Sequence, residues 1–431
     1  MKNVFHQSPS MPALVNTDDD DASSSSNSSL TTNESSSSSS DSIKHINRST
    51  STFTFTDDDA SSTTSQHETA VAPHVGYKKV LVTGGAGFIG SNVAASLLSR
   101  GDDVVIVDEM NDYYDVSIKE ANIRSLQEDY PEAGRVVFYR GDICDEVLMT
   151  TIFETEQPKW VCHMAARAGV RPSIDDPFVY IHSNIKGTTQ LMELSHKYGV
   201  ENFVFASSSS VYGGSKSTFF SEEESVDHPV SPYAASKKAC ELLAYTYHHL
   251  YQLNITGLRF FTVYGPSGRP DMAPFKFIDW VSRGKELKQF GDGSSSRDYT
   301  YISDIVDGVI RSIDRCHKYE VFNIGKGDGT SLKEFINLVQ KYVGKPANIK
   351  ILPDQPGDVP YTCADVSKAY QYLGYKATIP FEEGIRRTAE WYKKTYNSDD
   401  ASAPVEPTSA TTSTTTITTA AMGSTAVAVG N

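Results

Sequence analysis

From residue 77 onward the polar and apolar positions repeat in a regular rhythm. A short β-branched run at 79–83 ends in glycines, a helical stretch follows from Phe88 to Ser99, and Gly101 stops it. Apolar runs recur at 104–107, 136–139, 160–163, 203–206 and 255–260, and the segments 145–156, 178–198 and 231–252 have helical period. Continuous apolar strands alternating with helices imply strands covered on both faces. The pattern therefore predicts an α/β fold built on a Rossmann-type, doubly wound parallel sheet. Beyond Tyr264 the rhythm loosens: Pro266, Gly268, Pro270 and Pro274 crowd one segment, and helices predicted over 332–343 and 381–395 mix with short strands. This predicts a smaller C-terminal α/β region, residues 263–396, closing over the carboxyl edge of a sheet domain at 77–262.

Composition changes the picture at both ends. Residues 1–76 are rich in Ser, Thr and Asp, with runs such as Asp18–Asp21 and Ser35–Ser40, and residues 397–431 are rich in Thr and Ala. So little apolar surface does not offset the entropy of ordering a chain, and two disordered tails are expected. A solvated tail is the plain reading of the Ser/Asp run, and a phosphorylated one is the alternative. The net charge of −15 belongs largely to these ends. Residues 1–76 carry ten acids against three bases and the last stretch three more acids, which leaves about −5 for the core. That balance argues against nucleic acid as a partner.

The five cysteines, Cys144, Cys162, Cys240, Cys316 and Cys363, are scattered with no C-x-x-C pair. Neither a disulfide framework nor a metal site is expected, and a reducing compartment fits. With no signal-peptide pattern and no apolar run of the roughly 18–20 residues that span a bilayer, a cytoplasmic protein is expected.

The chemistry begins at Thr83-Gly84-Gly85-Ala86-Gly87-Phe88-Ile89-Gly90, between the first strand and the first helix. Gly84, Gly87 and Gly90 permit a tight turn, close approach to a pyrophosphate and close helix packing. The helix start at Phe88 and Ile89 presents free N–H groups to an anion. Asp108 ends the second strand, 18 residues after Gly90. There a carboxylate bonds an adenosine ribose and repels a 2′-phosphate, so NAD is expected over NADP. Asp142, followed by Ile143, ends the third strand and either contacts the adenine or caps the next helix.

Tyr233 and Lys237 lie one turn apart at the start of a predicted helix opened by Ser231-Pro232, 25 residues after Ser208 at a strand end. An ammonium beside a phenol favours phenolate, which then takes a proton from a sugar hydroxyl while hydride leaves the same carbon. Y-x-x-x-K alone is common on amphipathic helices. Its weight comes from Ser208 and the upstream nucleotide turn.

These features, with His163-Met164-Ala165-Ala166 and Arg297-Asp298-Tyr299, resemble extended short-chain dehydrogenases/reductases over residues 77–396. Within that group, Ala168-Gly169-Val170-Arg171, the run Ala206 to Gly213, and Leu258 to Pro266 continuing to Arg269-Pro270-Asp271-Met272 are similar to UDP-glucuronate 4-epimerases. The resemblance implies a catalytic set of Ser208, Tyr233 and Lys237, of which Tyr233 and Lys237 also bind the cofactor and Ser208 also binds the substrate. It also implies bound NAD, a UDP-sugar substrate and C4 epimerisation through a 4-keto sugar. A homodimer is expected. Arg167 departs from the Gln of that family.

The resemblance also bears on which sugar is used. Sister dehydratases and decarboxylases carry acids just beyond the catalytic Ser/Thr, where this chain has Ser209 and Ser210. Serines suit a substrate carboxylate that an aspartate would repel. Thr262 replaces the Asn of galactose-type epimerases and accommodates a uronate carboxylate. Arg171 and Arg269 are candidate partners for the carboxylate or pyrophosphate, or else simple surface ion pairs. Arg297 resembles the group's phosphate-binding arginine and Asp358 its ribose contact. Gln355 stands where galactose-type enzymes often have Arg, and Asn184 matches a buried structural Asn. UDP-glucose/UDP-galactose epimerisation and a catalytically silent nucleotide-binding scaffold are the competing readings.

Overall fold

The computed structural model describes residues 71–353 and 361–396. The predicted tails, apart from residues 71–76, and the residues Gln355 and Asp358 lie outside the described residues.

The strands are β1 (Lys79–Thr83), β2 (Asp103–Asp108), β3 (Val136–Arg140), β4 (Trp160–His163), β5 (Asn202–Ser208), β6 (Ile255–Phe260), β7 (Thr262–Tyr264), β8 (Glu286–Phe290), β9 (Ser296–Tyr301), β10 (Tyr319–Ile324), β11 (Gly329–Ser331) and β12 (Asn348–Leu352). Seven form one sheet in the order β10-β6-β5-β4-β1-β2-β3, with every pairing parallel. β11-β9-β7 and β12-β8 form two small sheets.

The helices are α1 (Phe88–Ser99), α2 (Val116–Asp129), α3 (Glu146–Glu156), α4 (Val170–Asp175), α5 (Pro177–Tyr180), α6 (Gly187–Lys197), α7 (Pro232–Tyr251), α8 (Ala273–Ser282), α9 (Ile302–Asp314), α10 (Leu332–Val343), α11 (Ser367–Leu373) and α12 (Phe381–Thr395). Strand alternation assigns them to two layers. Val80, Val82, Val104 and Ile106 pack in one apolar cluster with Val93 and Leu97 of α1 and Ile305 and Val309 of α9. Leu81, Val105, Val107 and Val161 belong to the other, with Met149 and Phe153 of α3, Leu191 of α6 and Ala244 of α7. The strands read as continuous apolar runs because both faces are covered.

Two features differ from the sequence reading. The helix predicted over 178–198 is broken into α5, a π-helical stretch at Ile181–Lys186, and α6. The wide turn coincides with the fully buried Asn184, whose amide is bonded to neighbouring chain on both sides. In addition, β10 pairs with β6 at the edge of the main sheet, and α9 packs on α1. Among the described residues, no helix is long and apolar enough to cross a membrane.

β1 lies in the interior of the sheet, and its neighbours β2 and β4 lead away in opposite directions. Sheets of this kind bind ligands at the carboxyl edge, where the strand order reverses.

Candidate active site

At that edge a cavity of about 410 Å³ collects the ends of β1–β6 and the start of α7. The glycine turn forms one wall. Gly84 has φ +67°, and a Cβ there would sit 2.6 Å from the Ala165 nitrogen. A Cβ on Gly90 would fall 2.2 Å from the Gly84 oxygen, so α1 packs too closely on the turn for any side chain. Gly87 caps α1 and donates its N–H to the Gly84 carbonyl at 3.0 Å. The first turn of α1 carries no acid, and Gly84, Gly87, Phe88, Ile89 and Gly90 all face the cavity.

Asp108 ends β2 and lines the cavity beside this turn. Its carboxylate accepts the Ala86 N–H at 3.2 Å and the Met110 N–H at 2.9 Å, which ties the turn to the strand end. Burial pushes this carboxyl up, against the pull of those N–H groups and of Lys119.

Asp142 and Ile143 line the same end. The cap of α3 is Asp145, which accepts the Leu148 N–H at 3.0 Å. Asp142 instead accepts from the Cys144 N–H at 2.8 Å and meets His182 Nε2 at 2.7 Å. Burial opposes its charge, but the His182 and Cys144 bonds outweigh it and hold the carboxyl below the usual range. The ligand-type atoms of Asp142, Cys144 and His182 lie within 4.8 Å of one another. The Asp142–His182 bond and the Cys144 thiol donating to the His182 carbonyl at 3.2 Å already account for that grouping.

On the far side, Ser208 ends β5, and its Oγ accepts the Ser210 N–H at 3.2 Å, capping a 3₁₀ turn over Ser209–Tyr212. Ser231 caps α7 by accepting the Ala234 N–H at 3.1 Å, and Pro232 occupies the first turn. That start aims Tyr233 into the cavity, its N–H donated to Ser173 Oγ at 3.1 Å. Lys237, only 3% exposed, follows one turn later and donates to the Ala206 carbonyl at 2.8 Å. Asn184 bonds the Arg167 N–H at 2.8 Å, its carbonyl at 3.0 Å and Ser236 Oγ at 2.9 Å, joining the loop after β4 to α7.

Ser208, Ser209, Ser210, Tyr233, Lys237, Thr262 and Arg269 all line the cavity. Arg269 is also paired with Asp271, at 2.9 and 2.5 Å, and stacks over the Tyr113 ring at 5.3 Å. Arg171 and Arg297 are not part of this lining. The Arg171 guanidinium lies 5.4 Å from the Phe290 ring centre, and Arg297 donates to the Ser296 carbonyl at 2.9 Å.

The sequence reading missed the loop after β2. Glu109, Asn111, Tyr113, Tyr114 and Lys119 all reach the cavity, and Arg167 pairs with Glu109 at 3.3 Å. The signal was Asn111-Asp112-Tyr113-Tyr114, two aromatics in a polar loop between a strand and a helix. Asp298, beside Arg297, is fully buried and has a structural task that the motif alone did not reveal. It accepts N–H bonds from Lys326, Gly327 and Ala364 and so braces the chain around β9.

His163, at the end of β4, sits between Thr83 Oγ1 at 2.7 Å and Thr188 Oγ1 at 2.8 Å. Burial, helped by the Lys237 charge, pushes it down to about 3, so the folded protein holds it neutral. As pH falls below the ordinary histidine value of about 6.5, the unfolded chain gains a proton that the folded one refuses. Stability is therefore expected to fall by about 1.4 kcal/mol per pH unit from this residue between pH 6 and pH 4. Urea titrations across that range should give a flatter slope for His163→Gln. Equal slopes would mean that His163 does not carry the effect.

A family profile described as GDP-mannose 4,6 dehydratase matches residues 81–388. UDP-glucuronate 4-epimerase of Thermodesulfobacterium geofontis is 47% identical over 315 residues, covering 73% of this chain and 96% of that one. A solved UDP-glucuronic acid 4-epimerase of Bacillus cereus, in complex with UDP-glucuronic acid and NAD, is 36% identical with a TM-score of 0.68. It covers 73% of this chain and 99% of the other. The UDP-glucose 4-epimerase of Thermotoga maritima with UDP-glucose matches at 34% identity and TM-score 0.67, over 74% of this chain and 99% of that one. With a parallel sheet of this order, a glycine turn at its switch point and relatives spanning its whole described core, the chain belongs to the extended short-chain dehydrogenase/reductase family, in its nucleotide-sugar epimerase and dehydratase branch.

Proposed function

We propose that this chain interconverts UDP-glucuronate and UDP-galacturonate by epimerisation at C4. One observation carries the reading. Ser208, Tyr233 and Lys237 share a cavity with the glycine turn, and the lining beside them is Ser209, Ser210 and Thr262. Among the described residues, the cavity's carboxylates, Asp108, Glu109 and Asp142, come instead from the chain at and beyond the ends of β2 and β3. A uronate carboxylate placed beside the triad would therefore meet hydroxyls and Arg269.

The residues present fit NAD. The turn leaves no room for a Cβ at Gly84 or Gly90, α1 offers its N-terminus to a pyrophosphate, and Asp108 and Asp142 stand where an adenosine would lie. NAD, when bound, accepts the C4 hydride and returns it. Tyr233 takes the proton of the C4 hydroxyl, Ser208 hydrogen-bonds the same oxygen, and Lys237 supplies the positive charge that favours phenolate. The 4-keto sugar turns over within the cavity and presents the opposite face of C4 to the returning hydride, while Tyr233 gives the proton back to the C4 oxygen. Ser209, Ser210 and Thr262 hold the carboxylate out of line with the new carbonyl, which otherwise invites loss of CO2. Arg297 and, outside the described residues, Asp358 remain our assignments for the uridine diphosphate, with Arg171 a further anion partner. Residues 77–262 would supply the NAD side and residues 263–396 the sugar-nucleotide side.

Incubation with UDP-glucuronate and with UDP-glucose in separate tubes, with products resolved by NMR, tests the reading. UDP-galacturonate is the expected product, and turnover of the neutral sugar alone would overturn it. The purified protein is also expected to carry NAD, because the cycle never releases reduced cofactor. Extraction followed by mass analysis should find NAD, and NADP alone would contradict the role given to Asp108.

We infer a homodimer, supported by the apolar side chains that α7 leaves in solvent, Leu242, Tyr245 and Leu250. Leu242→Glu with Tyr245→Glu should lower the mass measured by sedimentation from two chains to one. The unpaired cysteines suit the reducing cytoplasm in which we place the reaction.

A further inference from the structure

Tyr233, Lys237 and Glu241 follow one another at four-residue spacing along one face of α7. The chemistry proposed above uses the first two. Glu241 is 1% exposed and shares its carboxylate with three elements. Ser207 Oγ on β5 donates to it at 2.6 Å, and Arg259 on β6 grips it from Nε at 2.9 Å and Nη2 at 2.8 Å. Lys238 approaches at 3.7 Å. Arg259 is 4% exposed and stands opposite Ser207 in the β5–β6 register. Its Nη1 donates to the Tyr212 hydroxyl at 2.9 Å, at the end of the 3₁₀ turn that carries Ser209 and Ser210. Three consecutive residues of β5 thus serve the site: Ala206 holds Lys237, Ser207 holds Glu241, and Ser208 faces the cavity.

A buried ion pair adds little to net stability compared with apolar packing, so stability alone is a poor account of this one. Its position suggests another role. An uncompensated carboxylate one turn beyond Lys237 would oppose the very charge that favours phenolate at Tyr233.

We propose that Arg259 is a positioning residue for the triad. It cancels the charge of Glu241, so that Lys237 is the net cation acting on Tyr233, and it holds the Ser207–Tyr212 segment against α7. The inference rests on Tyr233 acting as a phenolate. Among the described residues, the other titratable or charged groups near Glu241 and Arg259 are Lys238 and Cys240 on α7, Tyr212 after β5, Tyr319 on β10, whose hydroxyl donates to the Glu241 carbonyl at 3.1 Å, and Glu222. Beside Tyr233 stand Tyr180 and Arg269.

A unit charge about two helical turns away, roughly 11–12 Å, at an effective dielectric near 20, is worth about one pH unit at the phenol. Phenolate formation can be followed by near-ultraviolet difference titration of the full chain with its NAD, each variant measured against the same protein also carrying Tyr233→Phe. Arg259→Met should move the titration about one unit to higher pH, and Glu241→Gln about one unit lower. The double variant should titrate close to the parent. The acid limb of the kcat/KM profile should move with each. Coincident titrations, with activity merely lowered, would reduce the pair to scaffolding and overturn the proposal. If Arg259→Met does not fold, Glu241→Gln alone decides by the sign of its shift. Phenolate titration needs no substrate, so a wrong sugar assignment would appear in the product assay and leave this result standing.

Discussion

Tyr233→Phe is expected to lower kcat by about 10²–10⁴-fold while leaving NAD bound. The substitution removes one oxygen from a side chain whose ring packs edge-on to Tyr180, 6.0 Å between centres, so the packing survives. Its backbone bond to Ser173 also survives, and Lys237 keeps its hold on the Ala206 carbonyl. What disappears is the acceptor for the C4 hydroxyl proton. The check is steady-state turnover of UDP-glucuronate together with the NAD content of the same preparation. Loss of NAD along with activity would point to a cofactor-holding role for the phenol, and near-normal turnover would remove Tyr233 from the chemistry.

The second large effect is selective. If Thr262 and Ser209 bond the uronate, Thr262→Val and Ser209→Ala each leave a desolvated carboxylate short of one partner. A bond to a charged group is worth about 1.5–3 kcal/mol, or on the order of ten- to a hundred-fold in kcat/KM. Neutral UDP-hexoses present a hydroxymethyl group at that place and should lose far less. With fewer anchors, the carboxylate of the 4-keto sugar swings into line with the carbonyl and loses CO2, so a UDP-pentose should accumulate. Assays with both sugar types and a chromatographic search for pentose decide the matter. Equal losses for charged and neutral sugars would assign the two hydroxyls to general scaffolding and remove the main support for glucuronate.

The parallel, doubly wound sheet was legible in the sequence because it is encoded locally. Runs such as Val104–Val107 are apolar at every position, since strands covered on both faces leave no polar side, and the intervening helices carry their own period. The glycine turn was legible for a similar reason: contacts that exclude a Cβ at Gly84 and Gly90 restrict the residue type at a strand–helix junction. Ser231-Pro232 before Tyr233 marked the start of α7 and with it the face that carries Lys237.

What only the tertiary structure decided depends on segments far apart in the chain. Of three arginines that look alike in sequence, Arg269 lines the cavity while Arg171 and Arg297 lie outside its wall, because the chain after β6 and the loop after β2 meet there. Tyr113 and Glu109 reach the cavity through that same loop, whose sequence carries no period to aim them. The Glu241–Arg259 pair joins α7 to β6 across 18 residues, and β10 returns from the C-terminal region to close the main sheet. A local pattern states which face of an element is apolar. Which distant charge that face will meet is settled only when the strands take their order, since that order sets which buried groups must satisfy one another.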